Sequence, residues 1–364
     1  MTRIFLIRHA EAEGNIYRRA HGHFNGQITQ MGFAQIDRLR ERFINEKIDA
    51  VYSSDLDRTC TTAAAISVPR GMHVNKTSQL REVDIGVWED MAWGDIEHHE
   101  PEMIKFFNSD PASWHVKGSE EFGHVQARMV KCITEIGESH VGETVAVFSH
   151  GFAIRALMCR LLDIPSYEIA RNPYCDNSAV ALLLYDNGSL TMKFQGDNSH
   201  LCSEISTFAR QSWWRNEQEY VKENLRYIML EPDGEFEYFD ADFRLARQQQ
   251  GRAEKEYLAL LGTEPVGFLG LDADNSGVGR IACIYIKSGL AEKKFLVQLI
   301  GHAISELRKL QMDTVCVGLP HGDESIPIFT NHGFELCTLD TTRCKVPCTL
   351  RSEAGMHHIS KKMI

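Results

Sequence analysis

Apolar residues recur along this chain in two rhythms, and the change of rhythm changes the expected element. Ile4–Ile7 and Val145–Phe148 are short unbroken apolar runs, the pattern of strands buried on both faces. Ala50-Val51-Tyr52 reads as another strand. Each is followed by helical spacing. Thr29 precedes a segment carrying Phe33, Ile36, Leu39, Arg40 and Phe43. Thr59–Ile66 follows the second run, and Ile154, Leu157, Met158 and Leu161 follow the third. Ala179–Tyr185 and Leu190–Phe194 flank Asp186-Asn187-Gly188, a hairpin signal. Strands alternating with helices predict an α/β fold, a mainly parallel sheet with helices on both faces.

After about Leu201 the pattern shifts. Residues 206–224, rich in aromatic and charged groups, read as a helical linker. Tyr257–Leu261 and Val266–Leu271 flank Gly262-Thr263-Glu264-Pro265, a second hairpin, and Arg280–Ile286 is a strand. Phe295, Leu296, Leu299, Ile300, Ala303, Ile304, Leu307 and Leu310 form one apolar stripe, predicting a helix over 292–310. Thr314–Val317 and Glu335–Leu339 read as strands around a short helix at Glu324–Asn331. The chain is expected to hold a first domain over 1–205 and a second α/β domain over 206–364.

Composition narrows the class. The 364 residues suit about two domains, and 43% hydrophobic with 24% charged is ordinary for a globular protein. No apolar run approaches the ~18 residues of a membrane span, and the start lacks the apolar core of a secretory signal. Lys and Arg number 39 against 50 Asp and Glu, a net charge of −11, and neither half is basic. Nucleic acid and anionic membrane are therefore disfavoured partners. Ten cysteines without a C-x-x-C pair predict reduced thiols and a cytoplasmic protein. Cys337, Cys344 and Cys348 near His357-His358 fit no standard zinc spacing, so no metal is expected.

An acidic chain that binds an anion must gather its cations locally. The first strand ends in Arg8-His9, the third in Ser149-His150-Gly151, and the second runs through Ser53-Ser54-Asp55-Leu56-Asp57 to Arg58. Ligands of open parallel sheets sit at the carboxyl ends of strands, beside helix N-termini that favour anions. Two guanidinium forks and two imidazoles there match a phosphoryl group. A single Arg-His pair at a strand end usually marks a surface turn; two buried strands ending in His, with an Arg between, make a coincidence much rarer. An imidazole held at one ring nitrogen is a nucleophile at the other, and a phosphohistidine divides hydrolysis into two in-line transfers. Glu82, in Leu80-Arg81-Glu82, is a candidate proton donor to the leaving oxygen. Taken alone it reads as a solvated loop carboxylate.

These residues carry a resemblance. Leu6-Ile7-Arg8-His9-Ala10-Glu11, Asn15, Arg19-Ala20-His21-Gly22, Ile28-Thr29-Gln30-Met31-Gly32, Ser53–Thr59 with Thr62-Ala63, Leu80-Arg81-Glu82, Gly86-Val87-Trp88-Glu89, Phe148-Ser149-His150-Gly151 and His200-Leu201 follow in order through residues 1–205. The series resembles the phosphoglycerate mutase-like histidine phosphatase superfamily. It implies His9 as nucleophile, with His150 and Glu82 completing the catalytic set. It implies Arg8, Arg58 and Asn15 as the phosphate pocket, Arg19, His21 and Gly22 as substrate contacts, and no cofactor. Ala10 stands where the family keeps Gly, His21 where it keeps Gln, and Asp90 where it keeps Gly. The short stretch between Glu82 and His150 lacks the Arg- and Pro-rich insertion of cofactor-dependent mutases, which favours a phosphatase acting on a small-molecule phosphate ester. A phosphoglycerate-type mutase is the alternative within the class.

Residues 225–345 resemble the GNAT-type acyltransferases in element order and in Asn331-His332-Gly333-Phe334. The family's glycine-rich CoA loop is replaced by Ala291-Glu292-Lys293-Lys294-Phe295-Leu296, and Phe329 and Gly322 stand for its Tyr and Asn. The expectation is a GNAT-like fold without efficient acetyl transfer, serving as a cap or a homodimer contact. A bifunctional enzyme using acetyl-CoA is the alternative.

Overall fold

In the computed structural model, residues 1–211, 223–231, 241, 244, 253–274, 277–287, 292–320, 323–336 and 356–363 are described. Two compact units emerge. The first comprises Met1–Asn15, Ala20–Met91 and Ile96–Tyr220; the second comprises Ile16–Arg19, Ala92–Asp95 and Val221–Ile364. Two short stretches of the N-terminal half are thus grouped with the second unit. Of the linker expected over 206–224, a short helix is seen at Thr207–Arg210, and 212–222 lie outside the described residues.

The first unit is built on six strands: β1 (Thr2–Arg8), β2 (Ala50–Ser54), β3 (Val74–Thr77), β4 (Thr144–Ser149), β5 (Val180–Asp186) and β6 (Ser189–Asp197). Their order is β3-β2-β4-β1-β5-β6. The first four are parallel, whereas β5 and β6 pair antiparallel, so the sheet is mixed. The unbroken apolar runs fall on central strands. β4 is buried along its whole length, and Ile4 to Ile7 of β1 are all buried. Such strands need cover on both sides. Phe5 and Ile7 share a core with Ile36 and Leu39 of α2 (Gln30–Arg42), with Phe43 at its C-cap, and with Ala63 and Ile66 of α3 (Asp57–Arg70). Helices α6 (Phe122–Ser139) and α7 (Gly151–Leu161) also pack on β1. Gly137 lets α6 approach β5 closely: a Cβ there would lie 2.4 Å from the Tyr185 ring. The hairpin between β5 and β6 turns on Asn187 and Gly188, both at positive φ, as the Asp-Asn-Gly signal predicts. The intervening helices are α1 (Glu13–Tyr17), α4 (Trp93–His99) and α5 (Pro101–Ser109), with α8 at Thr207–Arg210.

Among the described residues the second unit holds seven strands: β7 (Leu225–Met229), β8 (Lys255–Leu261), β9 (Glu264–Ala273), β10 (Val278–Ile286), β11 (Thr314–Pro320), β12 (Glu335–Leu336) and β13 (Met356–Lys362). The order is β12-β13-β11-β10-β9-β8-β7. Among the described residues of this unit only β10 and β11 pair in parallel, and the helix between them, α9 (Glu292–Lys309), is the required crossover. Its stripe from Phe295 to Leu307 is buried as the spacing predicts. Helix α10 (Ile326–Asn331) follows β11. No helix among the described residues is long and apolar enough to cross a membrane. The cysteines among them are free thiols, and no cluster of potential metal ligands occurs there. Cys337, Cys344, Cys348, Ala291 and Gly322 lie outside the described residues, as do the side chains of His357 and His358.

Candidate active site

Two neighbouring parallel strands set the site. Arg8 at the end of β1 is in register with Ser149 at the end of β4, so His9 and His150 leave the sheet side by side. The His9 N–H donates to the Ser149 carbonyl at 3.0 Å. Both imidazoles are buried, with ring centroids 5.3 Å apart. Strand β2 turns into α3, whose second residue, Arg58, is 2% exposed.

Hydrogen bonds fix the tautomer of each ring. A carbonyl only accepts, so the 2.7 Å contact between His9 Nδ1 and the Ala10 carbonyl places the proton on Nδ1. Nε2 then keeps its lone pair. A guanidinium only donates, so Arg58 Nε, 3.2 Å from His150 Nδ1, leaves the His150 proton on Nε2. His150 Nε2 is buried with no hydrogen-bond partner, as is Arg8 Nε. Buried donors left unused in this way call for a ligand oxygen or a water. The other nitrogens of Arg58 donate to the Phe24 carbonyl at 2.8 Å and the Gly22 carbonyl at 2.7 Å. Arg8 Nη1 donates to the Cys175 carbonyl at 2.5 Å. Gly151 follows His150 because Arg8 crosses over it: a Cβ would stand 3.1 Å from Arg8 Nε.

The electrostatics agree with neutral rings among cations. Burial first, then Arg58 and Arg8, holds His9 well below the usual imidazole range. Burial, Arg58 and His9 do the same to His150. Burial pushes the Arg58 guanidinium down to about 10 and lowers Arg8 as well.

Glu82 lies at the start of α7. Its Oε1 accepts from the Ala153 N–H at 2.8 Å and its Oε2 from the Phe152 N–H at 3.0 Å, just beyond His150. Asn15 Oδ1 accepts from the Ala12 N–H at 2.9 Å and from Asn177 Nδ2 at 3.3 Å. Gly22 has no room for a side chain: a Cβ would meet the Val83 carbonyl at 2.4 Å and Glu89 Oε1 at 2.5 Å. His21 Nε2 pairs with Asp90 Oδ1 at 3.2 Å, and burial lowers the affinity of this imidazole for a proton against the pull of Asp90. Thus two departures from the family pattern, 69 residues apart, meet in space. Asp90 is left-handed at φ 57°, which accounts for a glycine in its place elsewhere. Ala10 is not among the residues at positive φ, so its Cβ is accommodated. Arg19 is not grouped with His9. It falls in the second unit, buried, with Nη1 3.4 Å from His302 Nδ1.

Several supporting side chains have no role assigned from the sequence, although Thr62 and Glu89 belong to the family-like motifs. Thr62 Oγ1 accepts from the Ala10 N–H at 3.0 Å and donates to the Arg58 carbonyl at 2.6 Å, tying nucleophile to phosphate arm. Its place four residues after Arg58 on α3 is the signal. Asn177 Nδ2 donates to the His9 carbonyl at 3.1 Å. Arg128 Nη2 donates to the Glu82 carbonyl at 3.0 Å. Glu89 accepts from the N–H groups of Gly22, His23 and Phe24, shaping the loop that Arg58 reaches.

Known proteins resemble the N-terminal half of the chain. A family model for the histidine phosphatase superfamily, branch 1, matches residues 4–198. The chain is 29% identical over 183 residues to phosphoserine phosphatase 1 of Hydrogenobacter thermophilus, covering 50% of this chain and 86% of that one. It is 31% identical over 207 residues to phosphoglycerate mutase-like protein 4 of Arabidopsis thaliana, covering 54% and 86%. Among solved structures, YhfR of Bacillus stearothermophilus matches with TM-score 0.53 at 28% identity, over 55% of this chain and 99% of that one. A mycobacterial glucosyl-3-phosphoglycerate phosphatase shares the fold, with TM-score 0.50 at 23% identity, over 54% and 99%.

Proposed function

The chain belongs to the histidine phosphatase superfamily, and from that membership we propose that it is a phosphomonoesterase that cleaves a small phosphate ester through a phosphohistidine on His9. The observation that carries the reading is the pinned His9 ring, whose Nδ1–H is spent on the Ala10 carbonyl. Its Nε2 lone pair attacks phosphorus while the ester P–O bond breaks. Arg8, Arg58 and the His150 Nε2–H are the donors that meet the equatorial phosphoryl oxygens as charge spreads over them. Asn15 completes this pocket. Glu82 hands a proton to the leaving alkoxide, a contribution typically of 10²–10⁴-fold. Water then attacks the phosphohistidine, Glu82 takes its proton, and inorganic phosphate leaves with His9 restored. The reaction draws on no cofactor. His21 and Gly22 border the organic part of the ester.

For the second unit we propose a GNAT-like accessory domain that does not transfer acetyl groups. The order of hairpin β8–β9, strand β10, long helix α9, strand β11 and short helix α10 supports the GNAT-like reading. Lys294, in the stretch that replaces the glycine-rich loop, pairs with Glu223 at 2.6 Å, and Phe329 is packed edge-on against Phe334 in the core. Both features oppose CoA chemistry.

The decisive experiment is steady-state hydrolysis of p-nitrophenyl phosphate by wild type and His9→Ala, with radiolabelled substrate and an alkaline denaturing quench to detect an alkali-stable, acid-labile phosphoprotein. Wild type is expected to turn over and to label, and the variant to do neither. Turnover by His9→Ala at the wild-type rate overturns the reading. Interconversion of phosphoglycerates without phosphate release favours the mutase instead.

A further inference from the structure

We infer that Asp176 is a positioning residue for the phosphate arm Arg8, and that it is itself held by a clasp, Ser206 to Phe208, lying beyond the residues that match the family model. The inference rests on the phosphatase reading and adds to its machinery a buried carboxylate that acts through a neighbouring peptide.

The loop 175–179, just before β5, grips the end of β1. The Cys175 carbonyl accepts from Arg8 Nη1 at 2.5 Å, and the Ala179 carbonyl accepts from the Arg8 N–H at 3.1 Å. Asn177 Nδ2 and the Ser178 N–H both donate to the His9 carbonyl at 3.1 Å. The loop has its own anchor in the Asp176 carboxylate, which is 3% exposed. Its Oδ1 accepts from the Asn177 N–H at 2.8 Å and the Phe208 N–H at 3.2 Å. Its Oδ2 accepts from Ser206 Oγ at 2.5 Å and Asn198 Nδ2 at 3.2 Å. Ser206 Oγ in turn accepts from the Ala209 N–H at 3.0 Å and so caps α8.

The peptide that receives Arg8 Nη1 joins Cys175 to Asp176, so a shift of this carboxylate moves the acceptor on which the guanidinium rests. Phe208 adds a second constraint, its ring centre lying 6.0 Å from Arg8 Cζ. Two residues past His9, Glu11 accepts from Thr207 Oγ1 at 2.8 Å and pairs with Arg210, fastening the same short helix. Asp176 is also the carboxylate that acts most strongly on the Arg8 charge. Its charge and its anchoring have opposite consequences for an incoming phosphate. A carboxylate near Arg8 opposes an anion, so by charge alone its removal would tighten phosphate binding. Loss of the anchor releases the arm, and a misplacement of about 1 Å costs up to about 10²-fold. The sign of the effect separates the two.

The test measures p-nitrophenyl phosphate hydrolysis by full-length variants and its competitive inhibition by inorganic phosphate. An inhibition constant does not depend on the fraction of protein that is active, so partial misfolding alone leaves it unmoved. Asp176→Asn is expected to lower kcat/KM by about 10–10²-fold and to raise the inhibition constant for phosphate about tenfold. Ser206→Ala removes one donor to Asp176 and is expected to move both quantities the same way by about three- to tenfold; Ser206→Thr keeps the hydroxyl and is expected to restore them. The Ser206 pair carries the test alone should Asp176→Asn fail to fold. An inhibition constant unchanged or lowered in Asp176→Asn, or in Ser206→Ala, overturns the inference, as does a Ser206→Thr no better than Ser206→Ala, while wild type still hydrolyses p-nitrophenyl phosphate. Failure of wild type to release phosphate from that ester refutes the phosphatase reading itself.

Discussion

Replacing Arg58 by Lys keeps a positive charge and removes the planar fork. The wild-type side chain makes three hydrogen bonds, to His150 Nδ1 and to the Phe24 and Gly22 carbonyls. One ammonium nitrogen cannot span that set, so one or two buried acceptors lose their donor at about 1–3 kcal/mol each. Unfolding free energy should fall by about 2–4 kcal/mol. His150 also loses the contact that keeps its Nδ1 unprotonated, so its Nε2 is no longer reserved as a donor. Losing one preorganised donor to a transition-state oxyanion costs about 10²–10³ in kcat. The expected result is kcat/KM for p-nitrophenyl phosphate down by about 10²–10³-fold in protein shown to be folded by urea titration. A folded variant within about threefold of wild type would refute the view that this fork organises both the ring and the phosphoryl oxygens.

Three further outcomes follow from the same contacts. Glu82→Gln should slow phosphohistidine formation from alkyl phosphates by about 10²–10⁴-fold yet spare the first-turnover burst of p-nitrophenolate, whose release needs no proton, while later turnovers slow on both because Glu82 also takes the proton of the attacking water; equal first-turnover losses on both would deny the donor role. His9, His150 and His200, the last held down to about 4 mainly by burial, resist protonation in the folded state. The unfolded chain binds those protons below about pH 6.5, so stability is complete above that pH and declines toward pH 4 at up to ~1.4 kcal/mol per pH unit per histidine. Urea midpoints that stay constant between about pH 7 and pH 5 would contradict this. Gly22→Ala should lower stability by about 1–3 kcal/mol and raise KM, because its Cβ would displace the Val83 carbonyl or Glu89; unchanged melting and KM would show that the loop yields freely.

What the sequence reveals tracks burial. β1 and β4 are continuous apolar runs because they are central and covered on both sides, and His9 and His150 are legible because they terminate those runs. The stripe of α9 is legible for the same reason. β3 is not: it is a short edge strand with Asn75 and Lys76 exposed, so it has no apolar run to show. α6 carries a helical stripe of Phe122, Val125, Met129, Ile133 and Ile136 that the structure makes plain. Parts of the second sheet, β7 and β13, pair with partners distant in the chain and have weak local patterns. The site shows the same division. Residue types announce the phosphate chemistry, but the direction of a long side chain depends on tertiary partners: Arg19 reads as a substrate contact, and nothing in the sequence announces its Nη1 lying 3.4 Å from His302 Nδ1. The His21–Asp90 contact is equally invisible in one dimension.

The grouping of Ile16–Arg19 and Ala92–Asp95 with the C-terminal unit has a practical corollary for anyone wishing to dissect this chain. Fusion proteins usually come apart at one junction, and a stop codon there yields a clean catalytic fragment. Here Tyr17 is 4% exposed and so close to Gly301 that a Cβ on the glycine would lie 2.3 Å from its side chain. Ending translation near Tyr220 would bare that tyrosine and Ile16, giving the fragment a sticky strip that invites self-association. Obtaining a well-behaved stand-alone hydrolase from this gene calls for polar replacements at those two positions as well as the truncation.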